Sequence, residues 1–232
     1  MSSGIYVSYT GATSNLRRLE TVANNIANAS TAGYLRDRTG FDTVLGAALP
    51  FAESQASSVD LRPGTPKLTG SPLHAAIDGD GFFVVENAQG DELYTRRGDF
   101  RLNSQGQLVL PNGMTVVGEG GALVVPPDGV PTLSPEGTLR TQDGVLGKLR
   151  IVRFEDPSGL QKRGQSLLAA SSASPAVAVV DPKLDVGFVA SSNVNLAAEM
   201  VAMIQTSRAF EASMQSLRLD DQLTQRLIQS SQ

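Results

Sequence analysis

Apolar residues recur at alternating steps of four and three along the first 26 residues. All seven positions on this spacing are apolar: Ile5, Tyr9, Ala12, Leu16, Leu19, Ala23 and Ile26. The spacing predicts a helix with one continuous apolar seam, of the kind that coiled coils use. Residues 28–33 combine helix-weakening side chains with a glycine suited to a left-handed cap, so they predict the end of the helix. A helix of about 25 residues is roughly 37 Å long.

The C-terminal end repeats the spacing, and six of its seven positions are apolar: Leu196, Met200, Met203, Ser207, Phe210, Met214 and Leu217. Residues 191–193 offer N-cap side chains, and a helix from there to about Gln229 is ~55 Å long. Only Glu199 interrupts the apolar residues 196–204. A helix apolar on several faces is buried in its own core or between subunits. We favour burial between subunits, because the chain predicts only one other long helix; a helix lying on the central domain is the alternative.

Between the two ends, the sequence predicts short antiparallel strands. Glycine recurs every seven to nine residues from Gly81 to Gly144, and Asn-Gly or Asp-Gly pairs at 112–113, 128–129 and 143–144 indicate hairpins. Residues 36–70 predict a connecting arm with little regular structure. The predicted fold is α+β. Residues 1–35 and 191–232 pair their helices as a coiled-coil-like stalk, a discontinuous assembly domain, and residues 71–190 form a central all-β domain.

Charge and composition argue against several classes of function. The 232 residues carry a net charge of −4, which gives no basic field for nucleic acid, and no run approaches the roughly 20 apolar residues of a membrane span. The first residues lack the features of a cleaved secretory signal. The chain has no cysteine, and its one histidine, His74, is predicted at the surface or a strand edge. We therefore predict no enzyme activity, no catalytic residue and no cofactor.

Three short motifs invite a ligand and are interpreted as structural. Residues 78–81 resemble the start of a calcium loop, but Phe82 stands where an oxygen ligand is needed, so we predict a tight turn and no metal site. Residues 118–121 are glycine-rich but precede a strand-like run rather than a phosphate-binding helix. Arg96, Arg97 and Arg101 are interpreted as a solvated face, with contact to an acidic neighbouring subunit as the alternative.

Three long motifs resemble those of flagellar axial proteins, the family of rod and hook subunits. Residues 22–34 (VANNIANASTAGY) are similar to its N-terminal signature, and residues 192–201 (SNVNLAAEMV) with 207–212 (SRAFEA) to its C-terminal signature. Residues 76–85, 94–100 and 106–109 resemble its β-domain. Residues 4–7, residues 146–164 and the total length most resemble proximal rod subunits. Distal rod subunits are the close alternative, and hook subunits are usually longer.

The resemblance implies a structural subunit of the bacterial flagellar basal-body rod, which self-assembles, transmits torque and crosses the periplasm. It implies export through the flagellar type III apparatus without a cleaved signal. It also implies terminal helices that order when other copies or neighbouring rod subunits cover them. A different class, an oligomeric β-module that binds wall polysaccharide, is disfavoured because the chain has no Trp and only four Tyr. No nucleic acid and no membrane insertion are expected.

The residues expected in subunit contacts belong to the two end helices and the N-terminal signature. They are Ile5, Tyr9, Ala12, Leu16, Leu19, Val22, Ala23, Asn24, Asn25, Ile26, Asn28, Leu196, Met200, Met203, Ile204, Phe210, Met214 and Leu217. The three asparagines have two interpretations of equal weight. Their amides either bond across helices and fix the register, or simply weaken and end the first helix.

Overall fold

The computed structural model describes the backbone of residues 2–38, 41–46, 49–54, 58–156, 159–164, 166–171 and 174–230. It describes the side chains of these residues except 2–8, 41–46, 49–54, 220, 221, 223–228 and 230. The chain forms two compact units. The helical unit comprises Met1–Ala27, Asp37–Ser58 and Asn195–Gln232, and the β unit comprises Asn28–Arg36 and Val59–Val194.

Two long helices dominate the helical unit, as the sequence predicts. Helix α1 spans Ser2–Ala27 and helix α2 spans Leu196–Ser230, and the two pack against each other. Gly33, predicted as the cap of α1, has the expected positive φ of 64° but lies beyond the end of that helix, in a following turn. The predicted position of the cap is therefore wrong, whereas the predicted helix is confirmed.

The segment predicted as an arm with little regular structure contains strands. They are β1 (Asp37–Arg38), β2 (Phe41–Gly46), β3 (Leu49–Ser54), β4 (Ser58–Val59) and β5 (Pro66–Leu68). Strands β2 and β3 form an antiparallel pair in the helical unit, and β3 lies against α1. Val44 pairs with Phe51 in this hairpin, and both residue types favour strands. The serine and proline residues that favour an irregular arm lie at 54–58 and 63–66, from the last residue of the hairpin onward, so they do not describe it.

The β unit contains β5, which pairs with the last strand, and all the strands after β5, and their pairing is antiparallel. The strands after β5 are β6 (Ala75–Ile77), β7 (Phe82–Glu86), β8 (Glu92–Thr95), β9 (Arg101–Leu102), β10 (Leu108–Val109), β11 (Thr115–Gly118), β12 (Gly121–Ala122), β13 (Thr132–Leu133), β14 (Thr138–Thr141), β15 (Gly144–Lys148), β16 (Ile151–Phe154), β17 (Leu160–Lys162), β18 (Leu168–Ala170), β19 (Ala176–Ala178), β20 (Leu184–Val186) and β21 (Phe188–Ala190). The main sheet has the order β17-β18-β8-β7-β11-β10-β9. Strand β16 also pairs with β7, and β19 pairs with β16.

Strand β7 is buried on both of its faces. Successive strand residues point to opposite faces, so Phe83 and Val85 enter one core cluster while Phe82 and Val84 enter another. Phe83 packs edge-to-face on Phe100, with ring centroids 4.9 Å apart. The uninterrupted apolar run of this strand is explained by its two buried faces.

Two of the three predicted hairpins are present. Gly113, with φ 85°, turns β10 into β11, and Gly144, with φ 150°, turns β14 into β15. Both angles lie in the region that favours glycine. The pair at 128–129 forms a turn closed by the Gly129 amide and the Pro126 carbonyl at 3.0 Å, but the flanking strands β12 and β13 belong to different sheets. The hairpin predicted there is wrong.

Candidate functional site

The side of α2 that packs on α1 carries small and polar residues in its first turns and the half-buried Phe210 and Leu217 further along. Glu199 and Thr206 are buried, and Ala202 and Ser213 are half-buried. Their spacings of three, four and seven place them on one face of the helix. Asn15 Nδ2 of α1 donates to Ser213 Oγ at 3.4 Å, and a Cβ added at Gly11 would lie 3.9 Å from that oxygen. Because Gly11 has no side chain and Ser213 has a short one, the two helices can approach closely at this point.

The opposite side of α2 exposes large apolar side chains. Met200 is 54% exposed and Ile204 is 55% exposed, and Leu196, Val201 and Met203 are exposed as well. We call these five residues the α2 apolar face. Full burial of a large apolar side chain contributes about 1.5 to 3 kcal/mol relative to exposure. The face therefore retains a substantial free energy of burial that the described part of the chain does not use.

The predicted subunit-contact residues fall into three groups by exposure. Tyr9, Leu16, Asn24, Leu196, Met200, Met203 and Ile204 are exposed; Leu19, Ala23, Ile26, Phe210, Met214 and Leu217 are half-buried; Ala12, Val22, Asn25 and Asn28 are buried. Ile5 belongs to α1, but its side chain lies outside the described residues.

The coiled-coil pairing predicted from the two seams is not confirmed. Leu196, Met200 and Met203 begin the predicted C-terminal seam, yet all three are exposed, and the buried stripe contains Glu199 and Thr206 instead. A helix that is apolar on several faces does not reveal from sequence which face packs inward. In the first turns of α2, the stripe with Glu199 and Thr206 is buried and the stripe with the larger apolar side chains remains exposed.

Asn25 joins three segments of the helical unit through its side chain. It is 1% exposed, and its Nδ2 donates to the Asp37 carbonyl at 3.0 Å and to Glu199 Oε2 at 3.4 Å. Its Oδ1 accepts from the Asp37 amide at 3.0 Å. The contacts Asn25–Glu199 and Asn15–Ser213 show that α1 and α2 run antiparallel. Of the two interpretations of the asparagines, the bond across helices therefore describes Asn25.

The other two asparagines of the signature are placed differently. Asn28 is buried, and its Oδ1 accepts from the Thr31 hydroxyl at 3.2 Å while its carbonyl accepts from the Thr31 amide at 3.1 Å. These are bonds of a local turn that follows α1, in keeping with a residue that ends a helix. Asn24 is exposed on α1.

The N-cap of α2 is Asn195, not one of residues 191–193 as predicted. Asn195 Oδ1 accepts from the Ala198 amide at 3.1 Å, which is the capping geometry. The Asn195 carbonyl accepts from the Glu199 amide at 3.0 Å and begins the helical hydrogen bonds. Glu199 lies in the first turn, where the helix dipole stabilises a carboxylate.

The three arginines do not form the solvated face that the sequence suggests. Arg96 is 4% exposed; its Nη1 donates to the Gly79 carbonyl at 3.0 Å, and its guanidinium lies 4.8 Å from the Phe82 ring centroid. Burial lowers the pKa of Arg96, and the nearby Asp80 carboxylate partly opposes this effect. Arg97 donates two bonds to Asp99, at 2.6 and 2.9 Å. Only Arg101 remains exposed, so the alternative of a three-charge contact to an acidic subunit also loses its basis.

The described residues show neither a candidate cluster of metal-ligating side chains nor a candidate membrane-spanning helix. They include no group of three or more His, Cys, Asp or Glu side chains that could hold an ion, and neither helix combines the length and apolarity of a membrane span. Residues 78–80 form the bend between β6 and β7. His74, immediately before β6, pairs with Asp99 in an isolated bridge, and its Nδ1 lies 2.9 Å from Thr69 Oγ1.

Family models match three parts of the chain. The model described as "Flagella basal body rod protein" matches residues 5–34, which contain most of α1 and the turn after it. The model "Flagellar hook protein FlgE/F/G D1 domain" matches residues 76–141 of the β unit. The model "Flagellar basal body rod FlgEFG protein C-terminal" matches residues 186–230, which include all of α2. The order of the three matches follows the predicted order of helix, β-domain and helix.

Relatives that match most of the chain are named as one of two flagellar rod proteins, FlgG or FlgF. "Flagellar basal-body rod protein FlgG" of Buchnera aphidicola is 32% identical over 265 aligned residues, covering 99% of this chain and 100% of its own. "Flagellar basal-body rod protein FlgF" of Mesorhizobium japonicum is 31% identical over 218 residues, covering 91% of this chain and 90% of its own. FlgF of Escherichia coli is 31% identical over 233 residues, covering 92% of each.

Proposed function

The chain belongs to the flagellar basal-body rod protein family, and from that premise we propose that it is a structural rod subunit which assembles through its two terminal helices. In this proposal the subunit transmits torque and catalyses no reaction. The observation that carries the proposal is the α2 apolar face, whose five large side chains are exposed while the polar stripe of the same helix is buried.

Contact between subunits explains why the apolar side chains point outward. A contiguous apolar surface in water is unfavourable and usually marks an interaction site. The partner we propose is another copy of the chain or a neighbouring rod subunit, because such subunits present end helices of the same pattern. Tyr9, 63% exposed on α1, and Leu16 would extend the contact. The helices would complete their burial only on assembly, a coupled folding and binding step.

A double charge substitution on the α2 apolar face, with a single charge substitution as its control, tests the assembly surface. Met200→Glu with Ile204→Glu places carboxylates on the α2 apolar face, whereas Gln205→Glu adds a carboxylate at an exposed polar position of the same helix. We expect the double variant to be absent from isolated basal bodies and its β unit to remain folded, and we expect the control to incorporate. Incorporation of the double variant at the wild-type level would contradict the proposal.

Within the family we propose a proximal rod position, that of FlgF. Alignment with Buchnera FlgG requires 265 positions for a chain of 232 residues and covers the whole relative, so that relative carries extra internal segments. Alignment with Mesorhizobium FlgF requires 218 positions to cover 91% of this chain, or about 211 residues, so it contains far fewer gaps. A distal rod or hook position is the alternative. Labelling of the chain in isolated basal bodies tests the position: label at the membrane-proximal end of the rod supports the proposal, and label next to the hook refutes it.

We further propose export through the flagellar type III apparatus, followed by assembly in the part of the rod that crosses the periplasm. This route delivers an unfolded chain to the growing rod, where neighbouring subunits can cover its helices as they form. Loss of the chain from the periplasmic fraction when the export gate is disabled would support the route. Unchanged translocation in that strain would refute it.

A further inference from the structure

The chain passes between its two units at four points. Next to three of these points, residues of the β unit lie close together. The chain leaves the β unit after Arg36, returns to it at Val59 and leaves again after Val194. The Asp60 amide donates to the Arg36 carbonyl at 2.8 Å, and the Asn193 amide donates to the Tyr34 carbonyl at 3.3 Å. The three crossing segments therefore meet at one place.

The Asn193 side chain bonds to both of the other crossing segments. Its Oδ1 accepts from the Arg36 amide at 2.7 Å, and its Nδ2 donates to the Asp60 carbonyl and the Arg62 carbonyl, both at 2.8 Å. A primary amide has two N–H donors and an acceptor oxygen, so one short side chain can make all three bonds. A carboxylate of the same shape would place negative charge against the two carbonyl oxygens.

Ion pairs of Asp60 and contacts of Lys162 also link the crossing segments to their surroundings. Asp60 is buried, accepts two bonds from Arg62 at 2.9 and 2.6 Å, and lies 3.9 Å from the Arg36 guanidinium. Beneath the segments, the Tyr34 side chain is fully buried. Lys162 Nζ lies 3.8 Å from the Tyr34 ring centroid and donates to the Leu35 carbonyl at 2.6 Å.

We propose that Asn193 is a positioning residue that clasps the three crossing segments so that they carry torsional load as one body. A single backbone strand can rotate about its φ and ψ angles and transmits torsion poorly. Three chain segments that are linked by hydrogen bonds cannot rotate independently. The load-bearing role rests on the proposed function as a rod subunit, whereas the clasp itself is a property of the folded chain.

The clasp is tested in the purified full-length chain by amide hydrogen exchange. Asn193→Ala removes the acceptor and both donors. Asn193→Gln keeps the amide but moves it by one methylene, so it is the second variant if Asn193→Ala does not fold. The control is Ser192→Ala, which removes the neighbouring bond from the Val194 amide to Ser192 Oγ. We expect exchange at the Arg36 and Asp60 amides on the order of tenfold faster in the Asn193 variants, with the Val84 amide and the control unchanged. Wild-type exchange at both amides in both variants would overturn the clasp.

The load-bearing role is tested in cells that swim with these variants in media of increasing viscosity. We expect the Asn193→Gln rods to assemble and the cells to lose speed more steeply with viscosity than wild type and the control. Faster amide exchange together with wild-type speed at every viscosity would overturn the role. Absence of the wild-type chain from basal bodies would instead refute the proposed function, and the exchange result would still decide the clasp.

Discussion

The helical unit and the β unit bury different kinds of side chain. In the β unit, Phe83, Phe100, Leu139 and Leu149 are almost completely buried in the core. In the helical unit, Glu199, Thr206 and Asn25 are buried while the α2 apolar face remains exposed. The β unit thus buries a large apolar core, although Leu68 and Val180 are exposed. The helical unit half-buries Phe210 and leaves the α2 apolar face exposed.

This difference indicates two kinds of stability in one chain. Burial of apolar surface is the dominant favourable contribution to folding, and the β unit obtains it internally. The two helices gain less, because the α2 apolar face stays exposed. In addition, the buried hydroxyls of Ser14 and Thr206 find no partner among the described residues. We therefore expect the β unit to be stable by itself and the helical unit to depend on neighbours.

The largest effect is expected from a cavity in the β unit. Phe83→Ala removes a ring from the centre of the core and should lower the free energy of unfolding by about 3 to 5 kcal/mol. Met200→Ala removes a side chain of similar apolarity from the α2 apolar face and should cost less than about 0.5 kcal/mol in the free chain. Denaturant titration followed by circular dichroism measures both, and equal costs would break the comparison.

A smaller effect, confined to the helical unit, is expected at Asn25. Asn25→Ala removes two bonds to Asp37 and leaves the buried Glu199 carboxylate without this donor, so about 2 to 3 kcal/mol should be lost from that unit. Asn24→Ala, at the adjacent exposed position, is the matched control and should change little. Amide exchange in the first turns of α2 reports the loss. Equal exchange in the two variants would show that the amide bridge does not hold the helices.

The smallest effect is expected at the start of α2. Asn195→Ala removes the N-cap and should cost about 1 kcal/mol, whereas Asn195→Asp keeps an acceptor at the same place and should be nearly neutral. Exchange of the Ala198 amide distinguishes the two variants. A wild-type rate in Asn195→Ala would mean that the cap does not limit fraying of this helix.

The periodicity of apolar residues and glycines predicted the two helices and the short strands, but it did not predict which side of α2 packs on α1. The four-three spacing of Ile5 to Ile26 and the regular glycines of the middle correspond to α1 and to the turns between short strands. Residues 196–204 are apolar on several faces, so their spacing could not identify the inward side. Glu199, the one interruption, was the available signal: a single polar residue in such a run marks the side that meets Asn25.

The role of Asn193 depends on long-range geometry and could not be predicted. Its partners Arg36 and Asp60 are distant in the sequence, and a Ser-Ser-Asn run is typical of a helix cap. Arg96 was missed for a similar reason. Its burial over Phe82 depends on the packing of β7 and β8, whereas the local run of arginines resembles a surface.

Cysteine labelling of the α2 apolar face tests the central claim most directly, because the chain contains no native cysteine. Met200→Cys introduces one thiol on the exposed face, and Ala12→Cys introduces one at a buried position of α1. Reaction with a maleimide is measured for the free chain and for the chain in isolated basal bodies. We predict that Cys at position 200 reacts rapidly in the free chain and is protected in basal bodies, while the thiol at position 12 is protected in both. Equal reactivity of the position-200 thiol in both states would contradict burial of this face between subunits.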